Sequence, residues 1–421
     1  MNEAKESIET IVEGPIRILH FADLHIGMET YGSLDAETGL NRRVVDFLDR
    51  LDELIDYALE HHADAVLFAG DAFRNRSPAP TYQREFAHRI RRLSEAKIPT
   101  VLLVGNHDVP VMEQRASSVE IFAALAVPYV TVAEKAELLR LETARGPLQI
   151  ATLPYPMRQR LLTREQYRRM DQESLDRAVT DAVVGIIEQL SAEIDPEIPA
   201  ILLAHISVES ATWGSERSIM VGRDVAVPLS ALKDSVWDYV ALGHIHKHQN
   251  LNPENSPPIV YAGSLERVDF GEAEQPKGFC WVEVERGMTF WEYVEAPARP
   301  FITVRVDVRE AEDPLAAVQQ AVASRFLTDA VARLVVKMSP EQEPHLRDAD
   351  LSPLLADAFF SQINREVERA GRDRLAGLEP DTLTPTRLLA RYLLSKGKAE
   401  DEIAPYLEEA RAIFGEAASE S

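Results

Sequence analysis

Gly105-Asn106-His107-Asp108 sets an amide, an imidazole and a carboxylate in a row behind an apolar run, Val101-Leu102-Leu103-Val104. An Asn can ligate a hard cation through its amide oxygen, a His can pass a proton beside that cation, and an Asp can fix the imidazole's tautomer. The same residue types favour ordinary turns, so this stretch alone does not separate a site from a loop closure. Four other places repeat the pattern. Asp23 and His25 follow Ile16–Ala22, Asp71 follows Ala65–Gly70, His205 follows Ala200–Ala204, and His244 and His246 follow Tyr239–Gly243. Five of the eleven histidines therefore stand at the end of an apolar run. Buried polar groups seldom go unpaired, which argues for a shared role. Mixed imidazole, carboxylate and amide donors suit a pair of borderline-hard divalent ions such as manganese, iron or zinc, and such a pair needs one carboxylate that both ions share. His20, His61, His62, His88, His248 and His345 lack this setting and read as structural histidines.

The runs that carry these groups have strand composition, and helical periodicity separates them. If strand geometry persists past Ala22, Asp23 and His25 project to one side, since residues two apart share a face. Apolar residues recur at helical intervals from Val44 to Glu60, and a second helix is expected from Thr81 to Ala96. Strand–helix–strand–helix alternation implies parallel pairing, with polar groups delivered at the carboxyl ends of the strands. Further strands are expected at 128–132 and 148–153, a helix at 175–192, and strands at 259–264, 279–285 and 288–294. The proline-marked segment Ala296-Pro297-Ala298-Arg299-Pro300 opens a small unit, read as strand 301–308, helix 313–326, strand 332–338 and helix 351–370. A polar stretch, 378–385, precedes two amphipathic helices at 386–395 and 399–414.

A chain of 421 residues exceeds one ordinary core, and its 45% hydrophobic content is ample for burial. It contains no apolar run long enough to span a membrane, and Met1–Ser7 lacks the order of a secretory signal, so the cytoplasm is the expected compartment. The single cysteine, Cys280, excludes an intrachain disulfide and a cysteine–zinc cluster and sits in a core-strand context. A net charge of −24 argues against sequence-blind attraction to nucleic acid over the whole surface. A polyanion would have to be met locally, by metal ions or by arginines at 42/43, 74/76, 89/91/92 and 158/160/164/168/169. The Arg89–Arg92 cluster, with Glu85 and Glu95 at helical spacing, reads as a solvated helix face.

Taken together, Asp23-x-His25, Gly70-Asp71, Gly105-Asn106-His107-Asp108, Ala204-His205 and Gly243-His244-x-His246 resemble the five-block signature of calcineurin-like metallophosphoesterases. Tyr261–Arg267 and the Ser215–Gly222 stretch narrow this to a resemblance to the SbcD nuclease family, strongest over residues 16–295. The resemblance implies a two-sheet α/β/β/α sandwich over 1–297, a small α+β cap over 298–377 and a C-terminal helical hairpin over 378–421. It implies that Asp23, His25, Asp71 and His246 hold one ion and that Asp71, Asn106, His205 and His244 hold the other, with Asp71 the bridge and manganese the first choice of metal. His107 would face the scissile phosphate as general acid or electrostatic partner, with Asp108 orienting its ring. One departure stands out: where related nucleases often carry His or Asp three residues after the bridging Asp, this chain has Arg74, which cannot exchange a proton at neutral pH and is expected on the DNA backbone.

The implied activity is a metal-dependent DNA exonuclease and endonuclease that works on ends and hairpins in repair, recombination and replication. The implied assembly is a homodimer whose C-terminal helices dock on the coiled-coil base of an SbcC-type ATPase. The cap would orient DNA or, alternatively, stabilise the fold, and the hairpin would dock or simply pack on its own domain. A phosphoesterase for a small ester and an architectural DNA-end tether are the competing functions.

Overall fold

The computed structural model describes residues 12–110, 115–158, 170–214, 225–368, 385–396 and 398–414. The expected leader, Arg160–Arg169, Ser215–Gly222 and the proline stretch before 385 lie outside the described residues.

Strands β1 (Ile16–Phe21), β2 (Ala65–Phe68), β3 (Thr100–Leu103) and β4 (Val130–Ala133) run parallel, as their alternation with helices requires. Helix α1 (Arg42–Glu60) buries Val44, Phe47, Leu48, Leu51, Leu54, Ile55 and Ala58 along one stripe, and the Asn41 side chain caps its first turn. Helix α2 (Pro80–Glu95) starts on a proline whose missing N–H is no loss in a first turn. The chain then builds β5 (Glu137–Thr143), β6 (Gly146–Leu153), β7 (Ala200–His205), the two-residue β8 (Ser207–Val208) and β9 (Ala226–Val227), β10 (Tyr239–Gly243), β11 (Gln249–Asn250) and β12 (Ile259–Tyr261). Strands β13 (Gly278–Glu285) and β14 (Met288–Glu295) return antiparallel to the first sheet.

Two six-stranded sheets result, ordered β14-β13-β1-β2-β3-β4 and β11-β12-β10-β7-β6-β5. Three apolar cores separate the layers. Leu48, Leu51, Phe86 and Ile90 pack with Leu19, Val66 and Leu102 on the outer face of the first sheet. Ile18, Leu67, Val101, Ile201, Leu203 and Ala241 fill the space between the sheets, with Cys280 buried among them. Val183, Ile187 and Leu190 of the helix Gln172–Ala192 cover the outer face of the second sheet. This is the expected α/β/β/α sandwich. Strands buried on both faces read as unbroken apolar runs, which is why β2, β3 and β7 were conspicuous.

Strands β15 (Phe301–Asp307), β16 (Val331–Met338) and β17 (Phe360–Val367) form a third sheet in that order. The helix expected over 351–370 is corrected here: a short helix ends at Leu351, a tight turn follows to Leu355, and 360–367 is strand. Apolar residues at 355, 359, 363 and 367 imitate a helical stripe, but the mostly buried β16 needs hydrogen-bond partners on both edges and β17 supplies one of them. By compactness the chain forms two units. One is 1–303 with 326–333 and 355–362, and the other is 304–325, 334–354 and 363–421. In the second unit the helices Pro385–Ser395 and Glu400–Phe414 bury Ile403 and Ala410 while Tyr392, Tyr406, Ile413 and Phe414 remain exposed. Among the described residues no helix is long and apolar enough to cross a membrane.

Candidate metal centre

The carboxyl ends of β1, β2, β3, β7 and β10 deliver their polar groups to one rim of the sandwich. Three groupings there, Asp23/His25/His246, His25/Asp71/His107 and Asp71/His205/His244, each bring their ligand atoms within 4.8 Å of one another. Asn106 joins them, its Oδ1 lying 3.0 Å from His205 Nε2 and 2.9 Å from His244 Nδ1. His25 Nε2 lies 2.9 Å from His246 Nε2, and Asp71 Oδ2 lies 3.4 Å from His205 Nε2. All of the metal-ligand candidates that sequence reasoning named are thus brought together.

The local route to this convergence differs from the expected one. Strand geometry does not persist beyond Phe21. Asp23 and His25 adopt left-handed backbone, φ 52° and 46°, as do Asp71 at 65° and His244 at 101°. Such angles cost an L-residue about 1–2 kcal/mol each, and they cluster here because the strand ends must turn sharply to aim side chains inward. Backbone bonds hold the turns: Asp23 N–H donates to the Gly70 carbonyl at 3.0 Å and His25 N–H to that of Asp71 at 3.1 Å. Gly105 lets the Asp71 carboxylate lie against its bare Cα.

The donor set fits divalent cations. His205 Nδ1 donates to the Ala69 carbonyl at 2.7 Å, so its Nε2 lone pair faces the oxygens of Asn106 and Asp71. A lone pair aimed at acceptors calls for a proton or a cation between them. Electrostatics carry the same message. Burial lowers the His205 imidazole, but Asp71, with Asp23 and the Ala69 carbonyl, together more than offset this and push it up to about 9. Burial raises Asp71, yet His205 and His107 hold it well below the usual carboxylate range. Asp23 is raised, chiefly by burial, and His25 is lowered by burial and by the neighbouring His246. The Nε2 atoms of His25 and His246 converge at 2.9 Å, a pairing that a cation between them would satisfy.

His107 is half-buried, and its ring stands 4.8 Å from that of His25, centroid to centroid. Its Nδ1 donates to the Arg74 carbonyl at 2.7 Å, which leaves Nε2 for a substrate. Asp108 does not orient this ring. Its carboxylate accepts instead from the backbone N–H of Asp71 (2.8 Å), Ala72 (3.1 Å) and Gly105 (3.0 Å) and from Ser118 Oγ (2.8 Å). Asp108 therefore ties the β2 and β3 loops together, and the Arg74 carbonyl takes the orienting task. A carboxylate one residue from a His is too close along the chain to reach its ring when turn N–H groups compete for it. Burial, then the Asp71 charge, pushes Asp108 up to about 6. The Arg74 side chain is exposed and has no ion-pair partner among the described residues, while Arg76 Nε donates to the Asn106 carbonyl at 3.1 Å.

Sequence reasoning missed several neighbours. Glu272 accepts from His246 Nδ1 at 2.7 Å, and Lys277 pairs with Glu272 at 2.9 Å, both fully buried. Tyr155 and Trp213 flank His244, each with ring centroids 5.7 Å away. Glu272, Lys277 and Trp213 do not stand at the end of an apolar strand, and Tyr155, two residues past β6, is not a metal-donor type, so the strand-end signal passed over them.

Comparison with known proteins accords with this geometry. Residues 16–248 match the family model of the calcineurin-like phosphoesterases. The chain is 26% identical over 359 residues to the D subunit of the SbcCD nuclease of Bacillus subtilis, covering 84% of this chain and 88% of that protein. Among solved structures, TT1561 of Thermus thermophilus aligns at 14% identity with a TM-score of 0.38, covering 66% of this chain and 99% of that one. A dimetal phosphatase from Danio rerio aligns at 10% identity, also with a TM-score of 0.38, covering 65% and 93%. With more than half of its length matched by the family model, the chain belongs to the calcineurin-like phosphoesterase family.

Proposed function

We propose that this protein is the metal-dependent nuclease subunit of an SbcCD-type complex, cleaving phosphodiester bonds at DNA ends and hairpins as a double-strand exonuclease and single-strand endonuclease in the cytoplasm. The observation that carries the reading is the convergence of Asp23, His25, Asp71, Asn106, His205, His244 and His246 on one rim, with the half-buried His107 beside them. The similarity over 84% of the chain to the Bacillus subtilis nuclease subunit supports DNA as the substrate. The exposed apolar residues of the C-terminal hairpin support its use as a docking element for a coiled-coil ATPase.

Asp23, His25, Asp71 and His246 would hold one ion and Asp71, Asn106, His205 and His244 the other, with Mn2+ the preferred metal. When bound, divalent ions supply Lewis-acid charge neutralisation at phosphorus and a nucleophile at neutral pH. His107, its Nδ1 proton tied to the Arg74 carbonyl, turns Nε2 toward the substrate and in its protonated form donates to the phosphate or the leaving oxygen. Arg74 holds the DNA backbone as a fixed positive charge.

The test is cleavage of blunt and hairpin DNA with Mn2+, with Mg2+ and with chelator, with and without the ATPase, alongside a small phosphodiester. The expected result is Mn2+-dependent DNA cleavage that falls by roughly 10²–10⁴-fold in His107→Gln with ion uptake retained. Cleavage at the wild-type rate in that variant, or hydrolysis confined to the small diester, refutes the reading.

A further inference from the structure

Glu272 and Lys277 form an ion pair with no access to solvent, directly behind His246. The Glu272 oxygens are divided between two tasks. Oε1 accepts from His246 Nδ1 at 2.7 Å, and Oε2 accepts from Val268 N–H at 2.8 Å and faces Lys277 Nζ at 2.9 Å. The ammonium also reaches Ser264 Oγ at 2.8 Å, Gln275 Oε1 at 3.2 Å and the His246 carbonyl at 3.2 Å. Lys277 therefore grips His246 twice, at its backbone directly and at its ring through Glu272.

A buried ion pair is a poor means of stabilising a fold, because desolvation offsets most of the attraction and apolar residues of similar size do as well. Its position supplies a better reason. With Nδ1–H committed to a carboxylate, His246 keeps its Nε2 lone pair toward His25 and Asp23, and the hydrogen bond makes that lone pair more basic. His205 and His107, by contrast, donate from Nδ1 to uncharged peptide carbonyls. We infer that Glu272, clamped by Lys277, is a positioning residue that fixes the ligand tautomer of His246 and strengthens its hold on a divalent ion. The inference rests on the metal-centre reading above and adds to it a buried carboxylate outside the ligand set.

The test titrates the full-length protein with Mn2+ alone, followed by calorimetry and by the paramagnetic resonance of free Mn2+. Wild type is compared with Glu272→Gln and with the double variant Glu272→Gln/Lys277→Gln. Wild type is expected to take up two ions, and Glu272→Gln to weaken one of them by roughly 10–100-fold. In nitrogen-edited NMR spectra of the ion-free protein, the His246 Nδ1 proton should carry the signature of a strong hydrogen bond that the variant loses. If Glu272→Gln does not fold because the ammonium is left unpaired, the double variant removes both charges and gives the same readouts. Unchanged ion affinity in a folded variant, even one with lowered thermal stability, overturns the inference and leaves the nuclease reading intact. A wild-type chain that binds no Mn2+ overturns both.

Discussion

Gly70 is a backbone position at which the packing of the site leaves no room for a side chain, and Gly70→Ala turns that into a number. Its φ of 99° lies in the region that L-residues avoid, and an added Cβ would sit 2.6 Å from His205 Nδ1, 2.9 Å from Gly105 Cα and 3.0 Å from Gly105 N. All three fall inside the 3.4 Å at which ordinary contact begins. His205 cannot simply retreat, because its Nδ1–H is bound to the Ala69 carbonyl at 2.7 Å, and the Gly105 atoms are backbone. Left-handed strain of about 1–2 kcal/mol and overpacking of about 1–3 kcal/mol give an expected loss of about 2–5 kcal/mol. That is a large share of the roughly 5–15 kcal/mol that keeps a domain folded. Gly185→Ala is the control. It lies exposed in the helix Gln172–Ala192 with nothing within 4 Å of the new Cβ, and should gain about 0.5–1 kcal/mol from helix propensity alone. Urea denaturation followed by tryptophan fluorescence measures both, and Mn2+ titration should find weaker uptake only in Gly70→Ala. Wild-type stability and ion affinity in Gly70→Ala, or equal losses in the two variants, would refute the packing argument.

Arg74→Ala should weaken DNA binding and lower the slope of log affinity against log salt by about one, since one phosphate contact is lost; an unchanged slope in a filter-binding series rules Arg74 out as that contact. Deleting residues 380–421 should abolish co-purification with the ATPase while Mn2+-dependent cleavage of simple DNA ends persists, and a retained complex would exclude the hairpin as the docking element. His20 gives a pH effect. Burial drives its imidazole from the ordinary 6.5 down to about 3, so between those values the unfolded chain takes up a proton that the native state refuses. Stability then falls by about 1.4 kcal/mol per pH unit as pH drops below 6.5, and the stability gap between His20→Asn and wild type should shift by about 2–3 kcal/mol from pH 7.5 to pH 4.5. A gap that does not change with pH would show that His20 does not titrate this way.

The sandwich and the ligand candidates were legible because each depends on local pattern. Unbroken apolar runs such as Ala65–Phe68 announce strands buried on both faces, and a polar residue directly after such a run has nowhere to go except the rim. The Arg89–Arg92 cluster likewise behaved as its helical spacing implied, pairing with Glu85, Asp52, Asp56 and Glu95. What stayed hidden depends on tertiary competition. Asp108 looked like a partner for its neighbour His107, but backbone donors 36 and 37 positions away claimed its oxygens. Glu272 lies 26 positions from His246 and Lys277 lies 31, and no periodicity encodes either meeting. Phe360–Val367 carried a helical stripe and became a strand because β16 lacked a partner on that edge.

The charge of −24 gains a physical sense from where the cations end up. The arginines of α2 are consumed by nearby carboxylates: Arg84 by Glu85, Arg89 by Asp52 and Glu85, Arg91 by Glu95, Arg92 by Asp52 and Asp56. Arg74 is left without an ion-pair partner among the described residues, and Arg76 leans on the Asn106 carbonyl at the rim of the site. Exposed charges farther away than a Debye length of about 8–10 Å are largely screened at physiological salt. On the proposed reading, a phosphate at the rim therefore feels Arg74, Arg76, His107 and the bound ions rather than the net charge of the chain. On the same reading, the net charge of −24 disfavours its approach elsewhere. Repulsion of the duplex from most of the molecule and attraction at one mouth discriminate more sharply than a uniformly basic surface could, because wrong approaches are disfavoured as well as the right one favoured. On that reading an acidic nuclease subunit is no contradiction: its excess of carboxylates would restrict DNA to the rim that carries His107 and the ligand cluster.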